Sequence, residues 1–321
     1  MKILTFVLDH LVWLILAVVL AVFCIGIDNF FQVGIFVNIL RQATFVGILS
    51  LGLCLAILAG HMDLSIESVM AFSATAASFM VATGGAGQGW PVSIGFTLVV
   101  SLLCGLLVGL FNGVLIVYLK INAFIVTLST YIGVRGLGLV ITEGQSIYGL
   151  PESLRRVATY NAKGIPLLVL ILVSLYALFH VLLTRTRLGR YIYLIGGNEK
   201  APFRAGIRVR QILLLVFALS GVLAAFAGWL LAARTGGSTA NLGIGMLFEA
   251  FAAVVIGGVS LKGGEGRLTG VFAGVLLLSS IDTAINVMAM PAHTMQVVRG
   301  ALVLLAILLD SMKHALHKRF L

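Results

Sequence analysis

The chain is 321 residues long, 60% hydrophobic and only 10% charged, with 37 glycines. Soluble domains carry about 25% charged residues, so this balance excludes a soluble enzyme, a disordered chain and a nucleic-acid binder. The net charge of +10 reads as the basic loops that mark the cytoplasmic side of membrane proteins.

Apolar runs of about 20 residues, enough to cross ~30 Å of hydrocarbon, recur almost end to end. Ten spans are predicted: 9–27, 36–59, 64–83, 91–118, 123–142, 166–184, 211–233, 246–261, 268–289 and 295–310. The first has no small-residue cleavage pattern, and Phe23 precedes Cys24 where a lipoprotein site needs a small residue. It is expected to stay as a helix. The second opens on a polar-tinged stretch, Asn38-Ile39-Leu40-Arg41-Gln42. Gly105, Gly109 and Gly113 recur every four residues in the fourth, a spacing that lets helix backbones approach closely. The eighth is short and ends near Gly257-Gly258, as broken helices around a pathway do. Cys24, Cys54 and Cys104 lie in apolar runs without CxxC spacing and read as buried free thiols. The expected fold is all-α: one polytopic membrane domain over 1–321.

Orientation follows from lysine and arginine. With the N-terminus inside and ten spans, the inner side holds Lys2, Lys120, seven basic residues within 185–210, Lys262, Arg267, Lys313, Lys318 and Arg319. That is fourteen of 21; the outer side holds four, Arg155, Arg156, Lys163 and Arg234. Both termini and the basic loop 185–210 are therefore expected in the cytoplasm, and 143–165 outside.

The motifs of soluble chemistry are missing. No GxxxxGK[ST], HExxH, GxSxG or paired His/Cys spacing occurs, so no ATPase site, catalytic residue, metal or cofactor is expected on this chain. Ionisable residues at membrane depth are costly and mark function or pairing. They are Asp63 and Glu67 at the head of the third span, Arg135 in the fifth, Glu249 in the eighth, Asp282 in the ninth and Arg299 in the tenth. Mutual pairing is the reading for Arg135, Glu249 and Arg299. Asp282, beside Thr283 and a turn from Asn286, suits pathway lining and interhelical bonding equally.

Gly60-His61-Met62-Asp63-Leu64-Ser65-Ile66 resembles the Gly-Gly-Ile-Asp-Leu-Ser-Val signature of ABC-importer permeases for monosaccharides, of the ribose, arabinose and allose type. Residues 120–136, 187–207, 249–264 and 296–310 resemble four further stretches of that family in order. His61 and Glu67 stand where the family usually has glycine, and Pro202 where it usually has alanine. The resemblance implies the membrane-spanning subunit of a bacterial importer in the inner membrane. A periplasmic binding protein would deliver cargo, a cytoplasmic ATPase would use ATP, and a second copy or sister permease would complete the pathway. It also implies a short cytoplasmic coupling helix over Asn198–Ala205. In it Asn198 or Glu199 would open the helix, Ala201 and Ala205 pack closely, Phe203 anchor, Arg204 make a charged contact and Gly206 cap. Asp63, Ser65, Asn122, Thr127, Ser129 and Thr130 are candidates to line the path. The alternatives are a related ABC permease with a non-sugar cargo and an ion-coupled secondary transporter.

Overall fold

The computed structural model describes residues 11–198 and 200–291, with a few positions between 297 and 304. Most of the predicted tenth span, with Glu199, Arg299 and both termini, lies outside the described residues. The helices are α1 Leu11–Gly26, α2 Val33–Leu58, α3 Ile66–Val81, α4 Ile94–Val117, α5 Ala123–Thr142, α6 Glu152–Thr159, α7 Leu167–Arg185, α8 Arg187–Gly197, α9 Lys200–Arg204, α10 Val209–Thr235, α11 Met246–Ile256 and α12 Leu268–Val287. Six of them, α2, α4, α5, α7, α10 and α12, are long and apolar enough to cross a membrane; α1, α3 and α11 are shorter apolar helices. Each predicted span among the described residues overlaps one of these nine helices, six of which have spanning length.

The polar-tinged start of the second span does not break it, and α2 runs unbroken for 26 residues, about 39 Å at ~1.5 Å per residue. It is the most enclosed of the spanning helices, followed by α12 and α10, whereas α4, α5 and α7 leave most of their apolar surface open. The core therefore lies around α2, α3, α10, α11 and α12, with α10 packing most extensively on α4, α3 and α2.

The tightest of these contacts uses the glycine row. A Cβ on Gly105 would strike the carbonyl of Gly221, and one on Gly109 the carbonyl of Phe217. Close backbone approach of α4 to α10 thus explains the four-residue spacing. The cysteines are free, as expected; only Cys54 is fully buried, and Cys24 and Cys104 are half-buried.

Loops gather at two ends. At one, two-residue strands β1 (Gly84–Gly85), β2 (Ile147–Tyr148) and β5 (Gly237–Ser238) form an antiparallel sheet, with Ile147 opposite Ser238 and Gly84 opposite Tyr148. This ties together the loops after α3, α5 and α10. Asn161–Ala162 (β3) and Ile165–Pro166 (β4) pair in the loop before α7. At the other end, the Gly264 N–H donates to Leu58 O (3.0 Å) and the Tyr193 hydroxyl to Gly266 O (3.0 Å). The loops after α2 and α11 thus meet helix α8.

Candidate functional site

Two places carry the residues singled out in the sequence. The first is the turn between α2 and α3. Helix α2 ends in a Schellman motif: Gly60, at φ 82°, donates to Ile57 O (2.9 Å), and His61 donates to Ala56 O (2.9 Å). This left-handed position favours glycine. The chain then turns so that Asp63 Oδ1 accepts from the Ser65 N–H (3.0 Å) and hydroxyl (2.6 Å). Its Oδ2 accepts from the Ser220 hydroxyl of α10 (2.7 Å). The Ser65 oxygen accepts in turn from Asn112 Nδ2 of α4 (2.9 Å), and Thr130 of α5 donates to Asn112 Oδ1 (2.6 Å). Asp63, Ser65, Asn112 and Ser220 are fully buried, and Thr130 nearly so. A buried carboxylate is tolerated only with such donors, so Asp63 joins the α3 turn, α4, α5 and α10 through one polar chain.

One turn along α3 lies Glu67, also fully buried. Its Oε1 accepts from Arg135 Nη2 (2.7 Å) and the Tyr131 hydroxyl (3.1 Å), both on α5. Its Oε2 accepts from the backbone N–H groups of Gly245 (2.9 Å) and Leu247 (3.0 Å). Those two amides belong to the first turn of α11, where unsatisfied N–H groups give a partial positive charge. The Arg135 guanidinium also lies 4.7 Å from the Tyr131 ring centroid, within cation–π range. Helix α11 has 11 residues, about 16 Å, roughly half the hydrocarbon thickness. It is the broken helix expected from its length, and its N-terminus is held by a side chain from α3. The partner of Arg135 is thus Glu67. Glu249 in α11 and Asp282 in α12 are both buried.

The fifth-span candidates separate. Asn122 caps α5, its Oδ1 accepting from the Phe124 N–H (2.9 Å). Thr127 is buried and donates to Ala123 O (2.8 Å). Ser129 faces a groove between α4 and α5. Asn112, Ser220 and Tyr131 are absent from the expected set. Asn112 had a readable signal, a lone amide inside the glycine row of a span.

The second place is the α8–α9 surface. The Thr186 hydroxyl oxygen caps α8 by accepting from the Gly189 N–H (3.2 Å). Ile192 and Ile195 point inward. Burial pushes the Tyr193 phenol up to about 12, so it remains a donor to Gly266 at neutral pH. Helix α9, Lys200–Arg204, lies within the expected Asn198–Ala205 but is shorter, and Asn198 Oδ1 accepts from the Lys200 N–H (3.1 Å). At its end Gly206, at φ 78°, donates to Phe203 O (3.1 Å), and Ile207 donates to Pro202 O (3.1 Å). This is a second Schellman motif. Phe203 is 67% exposed, and Ala201, Arg204 and Ala205 are exposed too. Pro202 is buried. Ala201 and Ala205 border a cavity of about 430 Å³ beside α8, and Phe203 points to a different one.

A family model described as "Branched-chain amino acid transport system / permease component" matches residues 35–307. The ribose import permease protein of Haemophilus influenzae is 33% identical over 310 residues, covering 95% of this chain and 94% of the relative. The ribose import permease protein of Bacillus subtilis is 34% identical, covering 87% and 85%. The D-allose transport system permease protein of Escherichia coli is 33% identical, covering 92% and 89%. With matching helices, a broken eighth span and these similarities along nearly its whole length, the chain belongs to the branched-chain amino acid transport system permease family.

Proposed function

We propose that this chain is the membrane-spanning subunit of a bacterial ABC importer that passes a monosaccharide through the inner membrane by ATP-driven alternating access. The observation that carries it is α9: a short helix, capped at both ends, presents an exposed Phe203 in a chain without a P-loop. Energy conversion then belongs to a partner ATPase, which uses the ATP; this chain holds no cofactor and performs no bond chemistry. A periplasmic binding protein docks at the end carrying the β1-β2-β5 sheet, and a second permease copy or sister subunit completes the pathway. The basic end, with α8 and α9, faces the cytoplasm together with both termini. Single cysteines at Ser146 and Ala201 should label from opposite faces of the membrane.

Sugar cargo is supported by the near-full-length similarity to ribose and allose permeases. The family description favours one other reading, a branched-chain amino acid. Proteoliposomes holding the permease, its ATPase and its binding protein decide between them. ATP-dependent uptake of labelled ribose or allose with no leucine uptake is the expected result. Leucine uptake alone would replace the sugar reading, and uptake that survives ATP removal but collapses with an ion gradient would overturn the importer mechanism.

A further inference from the structure

A cavity of about 670 Å³ opens between α9, the α4–α5 turn and the start of α10. Lys120, Lys200, Arg204 and Arg210 line it, and among the described residues no lining side chain is Asp or Glu. Neither ion pair found among the described residues, Arg135–Glu67 or Arg156–Glu152, involves any of these four. Like charges gathered in one concavity create a field that draws an anion. Arg210 stays over the Tyr118 ring, 5.7 Å from its centroid. Lys120 adopts φ 56°, a left-handed conformation.

The floor of this cavity is apolar, with Ile116, Val117 and Leu213. Ile121 borders both it and a second space, a groove of about 800 Å³ between α4 and α5. That groove is lined by Leu107, Phe111, Leu115, Ile125 and Leu137. A basic chamber at the end of the spans thus shares a wall residue, Ile121, with an apolar channel along α4 and α5. Inorganic phosphate or a phosphorylated metabolite would satisfy the chamber and leave the channel unfilled. A molecule with an anionic head and a hydrocarbon tail satisfies both.

We infer that the chamber binds the phosphate headgroup of an anionic phospholipid, with an acyl chain lying in the α4–α5 groove. This inference rests on the orientation given under Proposed function, which places the chamber at the cytoplasmic leaflet, where basic pockets between helices recruit anionic lipid heads.

The test uses the full chain, delipidated and then titrated with phosphatidylglycerol or phosphatidylcholine of identical chains, with bound lipid counted by native mass spectrometry. Wild type should retain phosphatidylglycerol preferentially, on the order of tenfold. Lys120→Gln with Arg210→Gln should remove that preference. Arg187→Gln with Arg190→Gln, outside the chamber, should keep it. Gly133→Trp, which fills the groove from a position with no neighbour within 4 Å, should weaken lipid retention with the cations intact. Equal retention of both lipids by wild type overturns the inference. So does full displacement by millimolar inorganic phosphate with no effect of Gly133→Trp, which would make this a free-phosphate site. Lipid counting needs neither ATPase nor cargo, so its failure is distinct from a failure of uptake.

Discussion

Glu67 ties three helices of the bundle together. It receives one charged and three neutral donors, from α5 and from the head of α11. Removing one member of a buried pair costs roughly 3–5 kcal/mol, because the remaining charge is stranded. The two directions are unequal here. Arg135→Leu leaves Glu67 with the Tyr131 hydroxyl and two amides at a positive helix end, whereas Glu67→Leu strands a guanidinium and uncaps α11 as well. Thermal unfolding in detergent should therefore rank Glu67→Leu below Arg135→Leu. The double variant should be more stable than the summed losses predict, by ~1–3 kcal/mol. Additive losses, or the reverse ranking, would mean that the pair does not hold α3, α5 and α11 together. The sequence marks both residues as costly at membrane depth but does not pair them. They lie 68 positions apart, and their meeting depends on where α5 lands beside α3, which local pattern does not encode.

Helices were the most legible part of the chain. Each apolar run has to close its own backbone hydrogen bonds within lipid, so its length maps directly onto a helix. The fifth span is found at its predicted bounds, Ala123–Thr142. The half-length α11 was visible as a short run ending at paired glycines. Helix α8 was not singled out, because Arg187–Gly197 lacks a span-length run. Its signal is the inward spacing of Ile192 and Ile195 between basic residues, an amphipathic pattern. The glycine row is legible as a packing surface, but its partner is not. A prediction follows from that partner. Gly109→Val places a Cβ against the Phe217 carbonyl of α10, whereas Gly133→Val on α5 has no neighbour within 4 Å. Overpacking at a backbone contact costs ~1–3 kcal/mol or more. Fluorescence-detected size-exclusion should show the folded peak of Gly109→Val sharply reduced and that of Gly133→Val close to wild type. Equal yields would mean that α4 and α10 tolerate separation.

Across the whole molecule, the two ends are built for different work. The sheet end is braced by strand pairing among three loops. The opposite end carries α8, fixed to the bundle by the Tyr193–Gly266 hydrogen bond and the close approach of Gly196 to Leu58 and Gly264, and beyond it α9. Buried Pro202 seats α9 while Phe203 and Arg204 face outward. On the reading proposed above, the exposed aromatic would anchor the contact with the ATPase, since a few buried anchors dominate interface energy. Phe203→Asp should leave the permease folded and inserted, because that side chain is mostly in water. It should also lower ATPase capture in a pull-down by on the order of tenfold or more, the usual loss for an aromatic hot spot, and abolish cargo-stimulated hydrolysis in proteoliposomes. Gly206→Val acts through the backbone. At φ 78° a branched residue is strained by ~1–2 kcal/mol, which frays the end of α9 without touching the contact face. A partial loss of capture is therefore expected, smaller than that of Phe203→Asp. Docking of the binding protein at the sheet end should survive both changes. Normal capture and normal stimulated hydrolysis in both variants would show that α9 is not the coupling element, and the importer reading would then rest on sequence similarity alone.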